Sequence, residues 1–388
     1  MKTKKVNAHL HTPYSFSAFS ELTEALDMAV AEDVSVVGIN DFYTTAGYEA
    51  WATECKKRDL YPLFNIEFIS LNEEDQKAGL RVNDPGNPGR TYLSGKGLSY
   101  PFKLAEPYAS QLEGVRNESN LQVKKMCLML NGLLAANEIG FTLDFNCIVD
   151  ELTMGSIRER HLAKALRMKS YEACGNDEAV IKELFTTLFG GKELKSEVTD
   201  EAGVENEIRG NLLKAGGAAF VPEDPKAFLP MKTVCDIITA AGGIPTYPFL
   251  ADDAKGGYTD FEGDLEKAAK TLKERGFTSV EFITTRNDVT LLEKYASYLH
   301  EQGFVVTFGS EHNTPAMEPL ELFARNSTPL TEKLLQINYE GACVIAAHQH
   351  IVAQGLPGYV NNDETKSHNK REEYIKLGNQ LINAVVNL

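Results

Sequence analysis

The sequence predicts an α/β chain built as a TIM-like barrel of βα units and interrupted by a largely helical insertion. Three observations lead there. Short apolar runs alternate with amphipathic helical patterns toward both ends of the chain. That rhythm is lost between about residues 72 and 240. The polar residues of the apolar runs gather at their C-terminal ends, where a βα barrel assembles its site. With 388 residues, 43% of them hydrophobic, the chain can bury a core of this size.

The elements follow in order. Val6-Asn-Ala-His-Leu-His11 reads as the first strand, and its two-residue period places His9 and His11 on one face. Glu21 to Asp33 is an amphipathic helix, and Val34 to Asn40 a buried strand ending at Asp41. A helix from Gly47 to Arg58 leads to the strand Tyr61 to Ile69, whose apolar run holds one carboxylate, Glu67. The middle is helix-rich, with a Gly/Pro-rich loop from Asn83 to Tyr92 expected to belong to a hairpin or lid near 83–97. Helix Met231–Ala241 and strand Gly243–Tyr247 resume the alternation. Helix Phe261–Arg275, strand Ser279–Thr284, helix Asp288–Gln302 and strand Phe304 to His312 continue it. Helical stretches at Thr331–Gln354 and Glu372–Val386 finish the chain. The domain expectation is a discontinuous barrel, 1–71 plus 241–388, with 72–240 inserted.

Composition narrows the partners. A formal charge of −16 argues against an extended nucleic-acid surface and against anionic membranes. No stretch reaches the roughly 18 uncharged apolar residues of a membrane span. The basic start, Lys2 to Lys5, is followed at once by His9, His11 and Ser15 rather than by a signal-peptide core. Six scattered cysteines without a CxxC pair read as reduced thiols. The expectation is a cytoplasmic protein acting on a small molecule, with homo-oligomerisation left open.

Among only eight histidines, a His-x-His on one strand face invites metal, although two satisfied core imidazoles would read the same way. The carboxylates alter that balance, because His9, His11, Glu67 and Glu311 supply the N/O donor set of Zn²⁺, Mn²⁺ or Fe²⁺. Asn40-Asp41, Thr285-Arg286-Asn287 and Glu311-His312 also fall at strand ends. Arg160, Arg286 and Arg90 are candidate phosphate contacts, since guanidinium matches phosphate oxygens bidentately. Two other patterns are set aside. Gly89 to Gly97 lacks phosphate-loop spacing, and His348-Gln-His350 sits in a helical run where i and i+2 diverge.

At these positions the chain resembles the PHP family, the polymerase and histidinol phosphatase domain, whose fold is a distorted seven-stranded βα barrel holding up to three metals. His9-Leu-His11 matches its opening motif, Asp41 the acid of its second motif, and Glu67 its bridging glutamate. Arg158-Glu-Arg160-His161 resembles a motif of the branch acting on nucleotides and related phosphoesters, as do Ala219 to Pro222 and Ala240 to Pro245. The likeness covers Lys5–Phe68 and Ile157–Pro315. Two family ligands are missing: Phe42 stands for a histidine, and Tyr247-Pro248-Phe249 replaces Ala-His-Pro. The terminal Gly-Ser-Asp-x-His becomes Gly309-Ser310-Glu311-His312.

The resemblance implies a metal-dependent phosphoesterase holding one or two divalent ions. Its metal ligands would come from His9, His11, Glu67, His161, Glu311 and His312. Asp41 and Arg160 would take catalytic roles, Asp41 also serving to orient His9 or His11, while His161 could instead cap its helix. Arg90, Arg286 and Tyr247 would contact substrate. Two rival readings share the scaffold: a hydrolase of a non-phosphate substrate such as a carbohydrate derivative, and a binding or regulatory protein with a decayed metal site.

Overall fold

The computed structural model describes residues 2–253, 256–313, 317–360 and 367–386. Pro315, where the family likeness ends, lies outside them. The first half-barrel forms as its periodicity predicts: β1 (Lys5–Leu10), α1 (Leu22–Ala31), β2 (Val34–Phe42), α2 (Tyr48–Lys57) and β3 (Tyr61–Leu71). A one-turn helix α3 (Glu73–Lys77) follows, and the chain then returns as β4 (Arg90–Lys96). Strand β4 pairs antiparallel with β3, placing Glu67 opposite Ser94.

Next come the helices α4 (Tyr108–Ala136), α5 (Phe145–Leu152), α6 (Glu159–Ala173), α7 (Glu178–Leu188) and α8 (Glu201–Ile208). The two-residue β5 (Leu229–Pro230), α9 (Met231–Ala240), β6 (Ile244–Pro248), α10 (Leu265–Glu274), β7 (Ser279–Ile283), α11 (Val289–Glu301) and β8 (Val305–Gly309) complete the barrel. Helices α12 (Glu332–Ala353) and α13 (Ser367–Val386) end it. Among the described residues no helix is long and apolar enough to cross a membrane.

The main sheet runs β1-β2-β3-β4-β6-β7-β8. It closes through a parallel bridge between Leu10 and Glu311, where the His11 N–H donates to the Glu311 carbonyl (2.9 Å) and the Glu311 N–H to that of His9 (3.0 Å). Gly309 makes this closure feasible, since a Cβ there would stand 2.2 Å from the His9 Cβ. The result is a seven-stranded TIM-like barrel with β4 antiparallel to both neighbours.

The segment expected as one insertion is therefore divided. Arg90–Lys96, expected in a loop or hairpin, is a barrel strand. An antiparallel strand needs no crossover helix, so the βα rhythm that exposed its neighbours is absent. Helix α9 also belongs to the barrel, burying Val234, Ile237 and Ile238 in its core. The remaining helices have a core of their own, including Leu130, Leu166, Phe185 and Ile208. Helix α4 ties the two together, with Val115 in the barrel core and Val123 in the helical one.

Candidate metal centre and its cavity

Strand alternation brings the first ligands together. His9 and His11 face the lumen while Ala8 packs outward with α12, and on β3 Glu67 faces the same way. The Glu67 Oε2 stands 3.2 Å from the His11 Nε2 and 3.5 Å from the His9 Nε2. One ligand atom from each of these three buried residues lies within 4.8 Å of the others. Yet the His11 Nε2 and the Glu67 Oε2 have no hydrogen-bond partner. Two buried polar atoms converging without a well-formed hydrogen bond mark a place for a bound group, and the imidazole and carboxylate donor set suits a divalent ion. These residues fit the metal.

Behind them lies a charged floor that sequence reasoning missed. Glu281, mid-strand on β7 and wholly buried, accepts from the His9 Nδ1 (3.0 Å), from the Lys96 Nζ (2.6 Å) and from the Ser94 hydroxyl. Lys96, equally buried at the end of β4, also donates to the Ala8 carbonyl (3.2 Å) and the Asn40 Oδ1 (3.3 Å). Burial opposes a charge on His9, but the Glu281 and Glu67 carboxylates outweigh it and lift the ring to about 9. Burial likewise opposes the Glu67 charge, and the adjacent His9 and His11 hold it down at about 2. The signal for Glu281 was available, since it is a lone carboxylate in an apolar strand, as Glu67 is. For Lys96 there was none without the β4 pairing.

Asp41 sits on the opposite face of β2 from Asn40 and Phe42. Its carboxylate accepts from the Thr12 N–H (2.7 Å), the Thr12 hydroxyl (2.6 Å) and the Ser15 hydroxyl (2.6 Å). Ser15 in turn stands 3.5 Å from the His11 Nδ1. Asp41 thus shapes the turn after His11, with a hydrogen-bonded link toward that ring through Ser15 and a direct charge interaction with it, in keeping with an orienting role.

Above the cluster opens a cavity of about 440 Å³. Phe16 and Phe42 stack against His11, at 4.8 and 5.3 Å between ring centroids. Arg158 lies over both phenyl rings and Arg160 over Phe16. The Arg160 Nη1 is buried without a partner, and burial with Arg209 nearby lowers its guanidinium to about 10. Across the mouth Arg286 pairs with Glu311 at 2.6 Å.

Other expected site residues are placed elsewhere. Glu311 is not among the clustered ligands, because Arg286 and the Asn313 amide (2.6 Å) both claim its Oε2. His161 caps α6, its Nδ1 accepting the Arg158 N–H (2.9 Å), and burial lowers it to about 4. Glu311 and His312 are both left-handed (φ 64° and 54°), and the His312 ring turns away to stack on Phe19. Its ring nitrogens contact the Ser310 hydroxyl (2.7 Å) and the Glu318 carbonyl (2.8 Å).

Tyr247 faces the layer between sheet and helices, where its hydroxyl meets Glu262 (2.9 Å) among Phe249, Phe261 and Phe277. Arg90 is a brace, bound to Glu223 (2.8 Å) and Asp84 (3.3 Å) and laid over Phe228. Tyr247 was misplaced because proximity to a strand end does not reveal which face a side chain takes, and Arg90 because its Asp84 and Glu223 partners are not visible in the local sequence.

Fold and site together define a seven-stranded barrel with a buried histidine–carboxylate cluster beneath a basic cavity. No protein-family model and no curated protein matches the chain. Solved structures do. An amidohydrolase from Chromobacterium violaceum, with bound sulfate and no metal, aligns at a TM-score of 0.55 and 16% identity over 86% of this chain and 96% of that one. A candidate metal-dependent phosphoesterase from Bifidobacterium adolescentis aligns at 0.56 and 15% identity, over 87% and 96%. At such identity the likeness establishes the shared fold.

Proposed function

We propose that the protein is a metal-dependent hydrolase of the PHP type, acting on a small phosphorylated metabolite or nucleotide and holding one divalent ion per chain. The observation that carries this reading is the pair of buried polar atoms left without a hydrogen bond, His11 Nε2 and Glu67 Oε2, beneath a cavity lined by Glu67 and by Arg160, whose Nη1 has no hydrogen-bond partner. The barrel it shares with an amidohydrolase and a candidate phosphoesterase supports the reaction class.

His9 and His11 would hold the ion through Nε2 and Glu67 through Oε2. When bound, a divalent ion lowers the pKa of water and offsets charge on a phosphoryl oxygen. Phe16 and Phe42 close the site on the His11 side, leaving no second protein donor set among the described residues. Arg160 supplies free donors for a phosphate, and Arg158 adds positive charge from above the aromatic wall. Arg286 lines the same cavity with one nitrogen held by Glu311, so its remaining donors can meet the substrate anion.

Metal analysis of protein purified without added metal, followed by a phosphatase screen with Mn²⁺ or Zn²⁺, tests the reading. One equivalent of metal, lost together with activity in His9→Ala, is the expected result. Metal and activity both unchanged in His9→Ala would overturn the site assignment. Metal without phosphatase activity would move the assignment to a non-phosphate substrate, and absence of both to a binding or regulatory role.

A further inference from the structure

The fully buried Lys96 invites a catalytic reading, yet the ammonium is sealed beneath His9 and does not line the cavity, so no substrate atom can reach it. Its contacts point inward, to the Glu281 carboxylate (2.6 Å), the Ala8 carbonyl and the Asn40 amide oxygen. Glu281 has the complementary problem of a carboxylate taken wholly out of water. Such a group persists as an ion only where a paired charge and further hydrogen bonds satisfy it, and Lys96 with the Ser94 hydroxyl does so. One contact of Glu281 then remains, to the His9 Nδ1 at 3.0 Å.

We infer that Glu281, anchored by Lys96 and Ser94, is a positioning residue for His9. It accepts the Nδ1–H and so fixes the ring orientation, with the Asn40 amide nitrogen also 3.1 Å from Nδ1 and 3.0 Å from Nε2, and Nε2 is the ligand atom directed at Glu67. The inference rests on the metal reading above and goes beyond it by assigning roles to a strand-interior glutamate and lysine outside the ligand cluster. With an ion bound this would be a carboxylate–histidine–metal arrangement, its carboxylate held by a lysine from the antiparallel barrel strand β4. His11 is served differently, through Ser15 and Asp41, so the two rings are held by independent supports. Loss of a carboxylate behind a ligating histidine lowers metal affinity by about 10- to 100-fold.

Three measurements test this on the full chain. In Zn²⁺-loaded wild-type protein, histidine ¹⁵N NMR should show His9 carrying its proton on Nδ1 and zinc on Nε2. Zinc on Nδ1 would overturn the inference.

Competition with a chromogenic chelator should show Zn²⁺ affinity falling about 10- to 100-fold in the double variant Glu281→Leu/Lys96→Met, which removes the acceptor of the Nδ1–H and leaves no buried charge unpaired. Glu281→Asp, which keeps a charge against Lys96 but withdraws the carboxylate by one methylene, should also weaken zinc. Wild-type affinity in either folded variant, judged by near-UV circular dichroism, would refute the positioning role. A wild-type protein that binds no zinc would instead remove the metal reading itself, and His11→Ala, which leaves Glu281 untouched, separates the two failures.

Discussion

Replacing Arg160 by methionine should move stability and ligand affinity in opposite directions. In the free protein the Arg160 Nη1 is buried without a hydrogen-bond partner. An unsatisfied buried donor costs about 1–3 kcal/mol. The guanidinium recovers part of that from the Phe16 ring, 5.6 Å from its centroid, a contact worth about 0.5–1 kcal/mol. Methionine keeps contact with the ring and removes the unpaired charge, so Arg160→Met should stabilise the free protein by about 1 kcal/mol, roughly 1–3 °C in Tm.

If Arg160 holds a phosphate, the same change removes charge-assisted hydrogen bonds worth about 1.5–3 kcal/mol, and affinity should fall about 10- to 100-fold. Scanning fluorimetry with and without inorganic phosphate reads the first effect, and titration calorimetry of metal-loaded protein the second. A variant that melts below wild type in buffer, or that binds phosphate as tightly, would refute the reasoning.

Three further outcomes are expected. Stripping metal with a chelator should lower Tm, and restoring an ion to about 100 times its Kd should return about 2.7 kcal/mol of stability in wild type but not in His11→Ala, as calorimetry would show. Arg90→Met should cost about 1–3 kcal/mol in urea unfolding by removing the ion pairs to Glu223 and Asp84, while leaving phosphate affinity unchanged.

Glu262, wholly buried against the Leu250 N–H and the Tyr247 hydroxyl, is pushed up by burial to about 8. Below its unfolded value both states hold the proton. Between that value and about 8 only the folded state holds it, so stability falls as pH rises through this window, by up to about 5 kcal/mol. Glu262→Gln should flatten that slope in denaturation measured from about pH 5 to about pH 8, and an unchanged slope would place the titration elsewhere.

Local periodicity made much of this molecule readable before any tertiary information. The two-residue period of Val6 to His11 places both imidazoles on one face, and the single carboxylate in Tyr61 to Ile69 marks Glu67. Both inferences hold because strand alternation is a property of neighbouring residues. The helices α1, α2, α10 and α11 follow from their own apolar spacing in the same way.

What the tertiary structure alone decided is non-local. Arg90–Lys96 becomes a strand because β3 and β6 flank it, not through any period of its own. Lys96 and Glu281 meet only across the closed lumen. Alternation also leaves unsaid which face is the lumen, which is why Tyr247 and His312, near strand ends as expected, point away from the site. Local sequence marked the candidate ligands, while barrel closure chose which polar residues would face them, because register and closure depend on pairings between segments far apart in the chain.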